Sequence, residues 1–352
     1  RAIYNVYSTS DDRIWVGTVS DLCYFDSKDT DLILSGKKNV NHMFIQDIYW
    51  GISNPTVYCV FEDSFKNVWI GSNGGGASFI SSTSSFFHSW RINKIPGVTN
   101  GLNDKEVLTI CVADNGNIWM GTDGGGINVN IDGRNCMFYS HDTGDISSNT
   151  YHSSLKDSNG DLWFGNMYNE MGIDVFISKE GRFIHYTPQG NGSVIYCLFE
   201  DNQRNVWIGS NNGLEIYNLI TKKKDFLNKE NSQLLTNEIK AVSQDKNGNI
   251  WIGTLNKGIS IYNPESKTMK HINEHTIFEN CVINQIFRDS KNRIWIATTE
   301  GLVLFPNEQS DTYQLFNTQN GLACNLICSI EEDSEGNIWS GGFYNLKCFD
   351  LK

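Results

Sequence analysis

The sequence predicts an all-β propeller of four-stranded antiparallel blades, on three observations. A tryptophan-centred motif close to Ile-Trp-Ile-Gly-Thr occurs eight times, and its last five steps along the chain are each 44 residues. Segments of alternating apolar residues surround each copy and are separated by turns rich in Gly, Asn and Asp. No long segment has the 3.6-residue period of a helix, which excludes a helical solenoid. Four short strands in each 44-residue repeat are typical of a propeller blade.

The central tryptophan of each repeat is expected to pack between neighbouring blades, because large rings at a fixed period form a continuous core. The eight are Trp15, Trp69, Trp119, Trp163, Trp207, Trp251, Trp295 and Trp339. Glycine lies two residues after seven of them, and Ala297 takes its place in the seventh copy. A glycine inside a strand usually lets another backbone or a ring approach closely.

A turn precedes each motif, and in six copies it opens with an aspartate six residues before the tryptophan. These aspartates are Asp63, Asp157, Asp201, Asp245, Asp289 and Asp333. Aspartate favours this place because its carboxylate caps backbone N–H groups two residues on. We therefore expect turn formers here and not catalytic acids.

The number of blades in the ring is open from the sequence. The first two steps between motifs are 54 and 50 residues, and the chain ends shortly after the third strand of the last repeat. The segment 42–49 could supply the missing outer strand. We therefore prefer a seven-bladed propeller over residues 51–352, with residues 1–50 as a trailing blade and closing strand of a preceding propeller. The alternative is a single eight-bladed propeller over residues 1–352.

The composition excludes some classes of function. The chain has 40 acidic and 28 basic residues and a net charge of −12, so it is not expected to bind nucleic acid. No apolar stretch approaches the roughly 20 residues that span a bilayer, and we expect no membrane contact by this segment. Because the chain opens on Arg1, already inside a strand pattern, we expect it to be a piece of a longer protein.

Nine cysteines are present without a Cys-x-x-Cys spacing. Cys59, Cys111, Cys197 and Cys328 lie in apolar runs, so we interpret them as small buried hydrophobes inside strands. The sequence predicts no metal site and no cofactor.

The repeat resembles the two-component regulator propeller repeat. The resemblance is close over Glu62–Gly76 and over Glu332–Trp339, and Asn320-Gly321-Leu322 resembles the family's connection between blades. Ala297 and Ser340 depart from the pattern. The resemblance implies the periplasmic sensor region of a membrane-anchored regulator, often a hybrid histidine kinase. It also implies an oligosaccharide ligand that controls polysaccharide-utilisation genes, contacts with neighbouring sensor domains of the same chain, and a homodimer in the full-length protein.

A ligand is expected at the loops that join strands two and three, beside the connections between blades. These loops supply amide and carboxylate groups next to aromatic rings, as sugar recognition requires. The candidate residues are Asn73, Asp123, Tyr168, Asn169, Glu170, Asn211, Asn212, Asn256, Lys257, Glu300, Phe343 and Tyr344.

Two other classes of function compete with ligand sensing. Asp123, Glu170, Asp174 and Glu300 are the acids near the predicted loops, but no paired acid and base emerges. We therefore predict no catalytic residue and no enzyme in this chain, with a glycan hydrolase or lyase as the less favoured hypothesis. The main alternative is a protein-interaction or dimerisation scaffold, which a flat apolar surface in place of a polar concave one would indicate.

Overall fold

The repeats fold into antiparallel sheets that follow one another along the chain. The computed structural model describes residues 2–43, 54–74, 76–80, 82, 87–90, 101–131, 136–168, 172–189, 194–272, 276–307, 312–342 and 346–349. The chain divides into two compact units, Arg1–Thr143 with Cys328–Lys352, and Gly144–Ile327.

The first unit contains blades 1, 2, 3 and 8, whose strands lie in sequence order within each sheet. Blade 1 has β1 (Ile3–Ser8), β2 (Arg13–Thr18), β3 (Leu22–Asp26), a short helix α1 (Thr30–Leu34) and β4 (Asn41–Met43). Blade 2 has β5 (Val57–Glu62), β6 (Val68–Ser72), β7 (Gly76–Ile80) and β8 (Phe87–Trp90). Blade 3 has β9 (Val107–Val112), β10 (Ile118–Thr122), β11 (Ile127–Asn130) and β12 (Cys136–Tyr139).

The second unit contains blades 4 to 7, each of four strands. Blade 4 has β13 (Tyr151–Lys156), β14 (Leu162–Asn166), β15 (Ile173–Ile177) and β16 (Arg182–Tyr186). Blade 5 has β17 (Ile195–Glu200), β18 (Asn205–Ser210), β19 (Leu214–Asn218) and β20 (Lys224–Leu227). Blade 6 has β21 (Ile239–Gln244), β22 (Ile250–Thr254), β23 (Ile259–Asn263) and β24 (Thr268–Ile272). Blade 7 has β25 (Ile283–Arg288), β26 (Ile294–Thr298), β27 (Gly301–Phe305) and β28 (Gln314–Phe316).

Blade 8, whose described part has three strands, packs against blade 1. It consists of β29 (Ile327–Glu332), which begins at the last residue of the second unit, β30 (Ile338–Gly342) and β31 (Leu346–Phe349). A Cβ on Gly341 of β30 would lie 2.8 Å from Ile3 Cγ2, and one on Gly17 of β2 would lie 2.7 Å from Val57 Cγ1 of blade 2. Blade 8 therefore meets blade 1 as blade 1 meets blade 2.

The fold is an all-β propeller of eight blades. The eight-bladed alternative is confirmed: the structure has eight blades and not the preferred seven. The longer first step along the chain has a local cause, since α1 and the turn before it are inserted between β3 and β4. Asn41–Met43 pair with β3, so the described part of segment 42–49 completes the first blade and not the last. Residues 44–49 lie outside the described residues, and the division of the chain at residue 50 stays a prediction.

The central tryptophans pack between blades, as expected. Trp15 lies 1% exposed in a cluster with Val57, Val60 and Ile70 of the next blade. Such a ring removes about 150–250 Å² from solvent, so these residues dominate the contact between blades. The glycine two residues after seven of the tryptophans makes this contact possible. A Cβ on Gly209, for example, would lie 3.1 Å from Ile239 Cγ2 of the next blade.

Both departures from the motif lie in strands of regular register. Ala297 pairs with Leu302 in blade 7, and Ser340 pairs with Lys347 in blade 8. Their side chains are fully buried. The blades are therefore not altered at these positions.

The upstream aspartate forms the expected turn and has a second task. In Asp201, Oδ1 accepts hydrogen bonds from the backbone N–H groups of Gln203 and Asn205, both at 2.9 Å. Its Oδ2 accepts from Asn205 Nδ2 at 2.8 Å and from the indole Nε1 of Trp207 at 2.8 Å. The indole contact recurs in all six copies with the aspartate, at 2.7 to 3.1 Å. In the first blade Thr9 replaces the aspartate, and the buried Trp15 Nε1 has no hydrogen-bond partner within the described part of the chain.

Replacing the aspartate by asparagine is expected to destabilise the fold. In Asp201→Asn an amide N–H faces the indole N–H of Trp207, and two buried donors are left opposed. The expected loss is about 2–3 kcal/mol, the cost of breaking a buried hydrogen bond to a charged group. Urea denaturation of the variant measures it.

The reverse change in blade 1 is the matched control. Thr9→Asp supplies the missing acceptor to Trp15, and Arg13 stands where Arg293 pairs with Asp289 in blade 7. We expect a gain of about 1 kcal/mol. Equal losses in both variants would contradict the role assigned to the aspartate.

Candidate functional site

The strand-two to strand-three loop and the connection entering each blade lie at the same end of that blade. In seven blades the first residue after strand two donates its N–H to the carbonyl of the residue before strand one. The pairs are Val19 to Ala2, Asn73 to Thr56, Asp123 to Glu106, Met167 to Thr150, Asn211 to Val194, Leu255 to Glu238 and Thr299 to Val282. The two kinds of segment that were expected to surround a ligand are thus side by side in every one of these blades.

A β-bulge at this end presents one side chain in each of these seven blades. The register between strands one and two shifts after the first residue of strand one, so that the second residue is unpaired. These residues are Tyr4, Tyr58, Leu108, His152, Tyr196, Lys240 and Asn284. The residue before each is fully or nearly fully buried, whereas these side chains are half-buried or exposed. Bulges commonly re-aim a side chain next to a functional site.

In the first unit the bulged residues form an aromatic and polar cluster. The rings of Tyr4 and Tyr58 meet edge to face with centroids 5.0 Å apart. The amide of Asn73 donates to the Tyr58 hydroxyl at 2.6 Å. Burial raises the pKa of Tyr58, and the nearby Glu106 and Asp123 carboxylates raise it further, while the Asn73 hydrogen bond opposes them. The cluster therefore combines ring edges, an amide and acceptor oxygens.

In the second unit, the bulged residue of blade 6 is a cation, Lys240. The ammonium of Lys240 lies 4.0 Å from the centroid of the Tyr196 ring, on the neighbouring blade. Burial lowers the pKa of Lys240, although Glu238 opposes the shift. The amide of Asn284 donates to the Ile327 carbonyl at 2.7 Å, and His152 is exposed at the same position of its blade.

Buried carboxylates hold two of the connecting segments in place. Asp174 accepts hydrogen bonds from the backbone N–H of Ser147 at 2.9 Å and from the Tyr151 hydroxyl. One blade further, Glu215 accepts from the backbone N–H of Gln189. Both carboxylates are 1% exposed. They therefore fix the connections that border the site and are not presented to a ligand.

The structure places eight of the twelve predicted site residues, and their part in binding stays a prediction. Asn73, Asp123, Asn211, Asn212, Asn256, Lys257, Glu300 and Tyr168 lie in the strand-two to strand-three loops. Tyr168 is 57% exposed, whereas Asn73 and Asn211 have polar partners in their own blades. Asn169, Glu170, Phe343 and Tyr344 lie outside the described residues.

Sequence reasoning missed the bulged residues, although a signal was available. When the repeats are aligned, the first residue of strand one is always Ile, Val or Tyr, whereas the second is Tyr in three blades and differs in chemistry among the others. A position that varies in chemistry between constant neighbours is not part of the shared core. It is available for a task specific to one blade.

The chemistry of the described residues gives no indication of a metal. No group of three or more His, Cys, Asp or Glu in the described ranges is arranged to hold an ion. None of the nine cysteines is in a disulfide. Of the four cysteines expected to be buried, Cys111 is buried and Cys59, Cys197 and Cys328 are half-buried. Desolvation raises the pKa of the Cys59 and Cys197 thiols to about 12.

The side chain of Glu331 in blade 8 has a raised pKa. Burial raises the pKa of Glu331 in β29 to about 7, and the adjacent Glu332 carboxylate adds to the shift. Because the folded state holds this proton more tightly than the unfolded chain, the contribution of Glu331 to stability is complete below about pH 4.5 and declines as the pH rises through 7.

We expect this decline to disappear in Glu331→Gln. The difference in unfolding free energy between the wild type and the variant should fall by on the order of 1–3 kcal/mol between pH 5 and pH 8. Glu335→Gln, an exposed glutamate of the next turn, is the control and should leave the pH profile unchanged. A flat difference for Glu331→Gln would contradict the shift.

Comparison with known proteins agrees with the fold and the repeat. The family model of the two component regulator propeller matches residues 51–74, 101–124, 189–212, 233–256 and 277–300. A solved extracellular domain of a hybrid two-component system from B. thetaiotaomicron is 31% identical, with a TM-score of 0.63 over 99% of this chain and 45% of that one. No curated protein sequence matches the chain.

More distant structures share the fold alone. A second hybrid two-component system domain from B. thetaiotaomicron is 17% identical over 98% of this chain and 52% of that one, with a TM-score of 0.56. A streptogramin B lyase is 13% identical over 100% of this chain and 94% of that one, with a TM-score of 0.57. The chain spans about half the length of the two extracellular domains.

The eight blades and the repeated indole-carboxylate turn define a β-propeller protein with a variable loop end. Repeats of the two component regulator propeller family are present in five of these blades, the second, third, fifth, sixth and seventh. Within the described part of the chain, no helix has the length and apolar character needed to cross a membrane.

Proposed function

We propose that the chain is the ligand-sensing propeller of a membrane-anchored two-component regulator. In this proposal it lies in the periplasm and binds an oligosaccharide, and the bound state controls polysaccharide-utilisation genes. The likeness to extracellular domains of hybrid two-component systems supports the sensor assignment. The output would come from parts of the protein beyond this propeller, and the propeller itself would have no catalytic role.

The observation that carries the ligand class is the tyrosine and amide cluster at the loop end of the first unit. A sugar presents apolar C–H faces and a ring of hydroxyl groups, so it needs an aromatic surface beside donors and acceptors. Tyr4 and Tyr58 supply the rings, and Asn73 and Asp123 supply an amide and a carboxylate. The bulge holds the rings on regular strands, so that little ordering is needed on binding.

Transmission of the signal is proposed from the family likeness. The propeller would contact neighbouring sensor domains of the same chain, and the full-length protein would act as a homodimer. A ligand changes such an equilibrium only by its difference in affinity between the two states. The loop end would therefore have to differ between the ligand-free and signalling states.

A thermal-shift screen of the propeller against oligosaccharides tests the proposed function, with calorimetry on each hit. A ligand at 100 times its Kd should add about 2.7 kcal/mol to the free energy of unfolding. Tyr58→Ala should weaken binding at least tenfold, because it removes the ring and leaves Asn73 without its acceptor. Tyr58→Phe, which keeps the ring, should lose less.

Phe65→Ala is the matched control. Phe65 is 67% exposed in the turn between strands one and two of the same blade, at the opposite end from the loops. Its replacement should leave the affinity unchanged. A propeller that binds no glycan and self-associates in a concentration-dependent way would instead favour the scaffold alternative.

A further inference from the structure

The bulge of blade 6 holds a lysine in an unusual setting. Lys240 projects from β21 with its side chain half-buried, and its ammonium lies 4.0 Å from the centroid of the Tyr196 ring. Tyr196 occupies the bulge of blade 5, so the cation and the ring come from equivalent positions of neighbouring blades. A cation this close to a ring face is attracted by the ring quadrupole.

The ammonium of Lys240 has no ion-pair partner among the described residues. Glu238, two residues away, acts on it only at longer range, because no carboxylate oxygen of the described residues lies within 4.0 Å of Nζ. Lys224 in the same unit is different, since its ammonium lies over the Tyr186 ring and also 3.8 Å from a Glu215 oxygen. Lys240 therefore retains donor capacity that the described residues do not use.

Burying a cation without a counter-ion costs free energy, so a structural role would favour an apolar side chain here. Position two of strand one does accept apolar side chains, since blade 3 has Leu108 in this place. The fold thus does not require a charge at the bulge. A half-buried charge that the fold does not require, and that has no ion-pair partner among the described residues, indicates that Lys240 binds a ligand.

We infer that the loop end of the second unit binds an anionic saccharide, with the carboxylate or sulfate group on Lys240 and the sugar ring against Tyr196. This inference rests on the proposed function and adds the charge of the ligand to it. The Lys240 ammonium donates to the anion, and its position above Tyr196 directs the attached ring towards the aromatic side chain. Glu238 at the same end disfavours a second negative charge and so limits the ligand to one anionic group at this place.

Calorimetry with matched disaccharides tests the inference. Each set has three disaccharides with the same linkage that differ only at C6. The first has a hydroxymethyl group there, the second a carboxylate, and the third a sulfate ester of the hydroxymethyl group. We expect at least one anionic member to bind at least tenfold more tightly than its neutral counterpart, and the two anions distinguish a uronate from a sulfate ligand.

Variants of Lys240 distinguish the effect of its charge on binding from an effect on the stability of the fold. Lys240→Met should remove the preference for the anion and leave the affinity for the neutral member within twofold, while Lys240→Arg should retain most of the preference. Glu238→Gln should increase the affinity for the anion severalfold. Lys291→Met, an exposed lysine in the turn of blade 7, should change nothing.

Three outcomes overturn the inference in distinguishable ways. Binding of neutral members alone, or an anion preference that survives in Lys240→Met, overturns the anionic subsite and leaves the proposed function standing. Binding of no disaccharide or longer glycan, neutral or charged, overturns the proposed function and the inference together. Thermal unfolding of each variant shows whether it is folded before it is scored.

Discussion

The hydrogen bond from the indole N–H to the carboxylate six residues upstream, present in six of the eight blades, is the interaction on which the rest of the structure depends. A buried carboxylate is costly unless its oxygens are satisfied. Here one oxygen closes the turn between strands one and two, and the other fixes the tryptophan ring, as in Asp201 with Trp207. The same side chain therefore sets the hairpin within a blade and the ring that packs on the next blade.

This arrangement separates the two ends of a blade by function. The aspartate of the turn is kept in six of the eight blades, because the same side chain serves both the backbone N–H groups and the indole. The other end is free of that constraint. There the bulge keeps one backbone geometry while the side chain changes from Tyr58 to Leu108 to Lys240. Under the proposed function, stability and recognition would thus be assigned to different residues of the same repeat.

The sequence was sufficient for the features that have a period. The packing of Trp15, the turn at Asp201 and the close approach at Gly209 all follow from residue types at fixed spacing. The bulge was missed because a one-residue register shift leaves no mark in composition and shows in the sequence only as a position that varies between constant neighbours. The blade count was missed because α1 lengthens the first repeat outside its motif, and the longer step resembled a domain boundary. The loops around Tyr168 gave candidate residues but no partners, since contacts between blades depend on geometry and not on spacing.

The charge of the whole chain bears on how an anionic ligand would be recognised. A net charge of −12 repels an anion at long range, but at physiological ionic strength this repulsion is screened beyond about 8 Å. The same screening would limit the reach of the Lys240 ammonium, so it would attract the ligand only once the ligand has entered the loop end. There the half-buried charge is screened much less. Electrostatic steering would then contribute little to the association rate. The preference for an anion would instead come from slower dissociation, which suits a sensor that must distinguish one glycan from many similar ones.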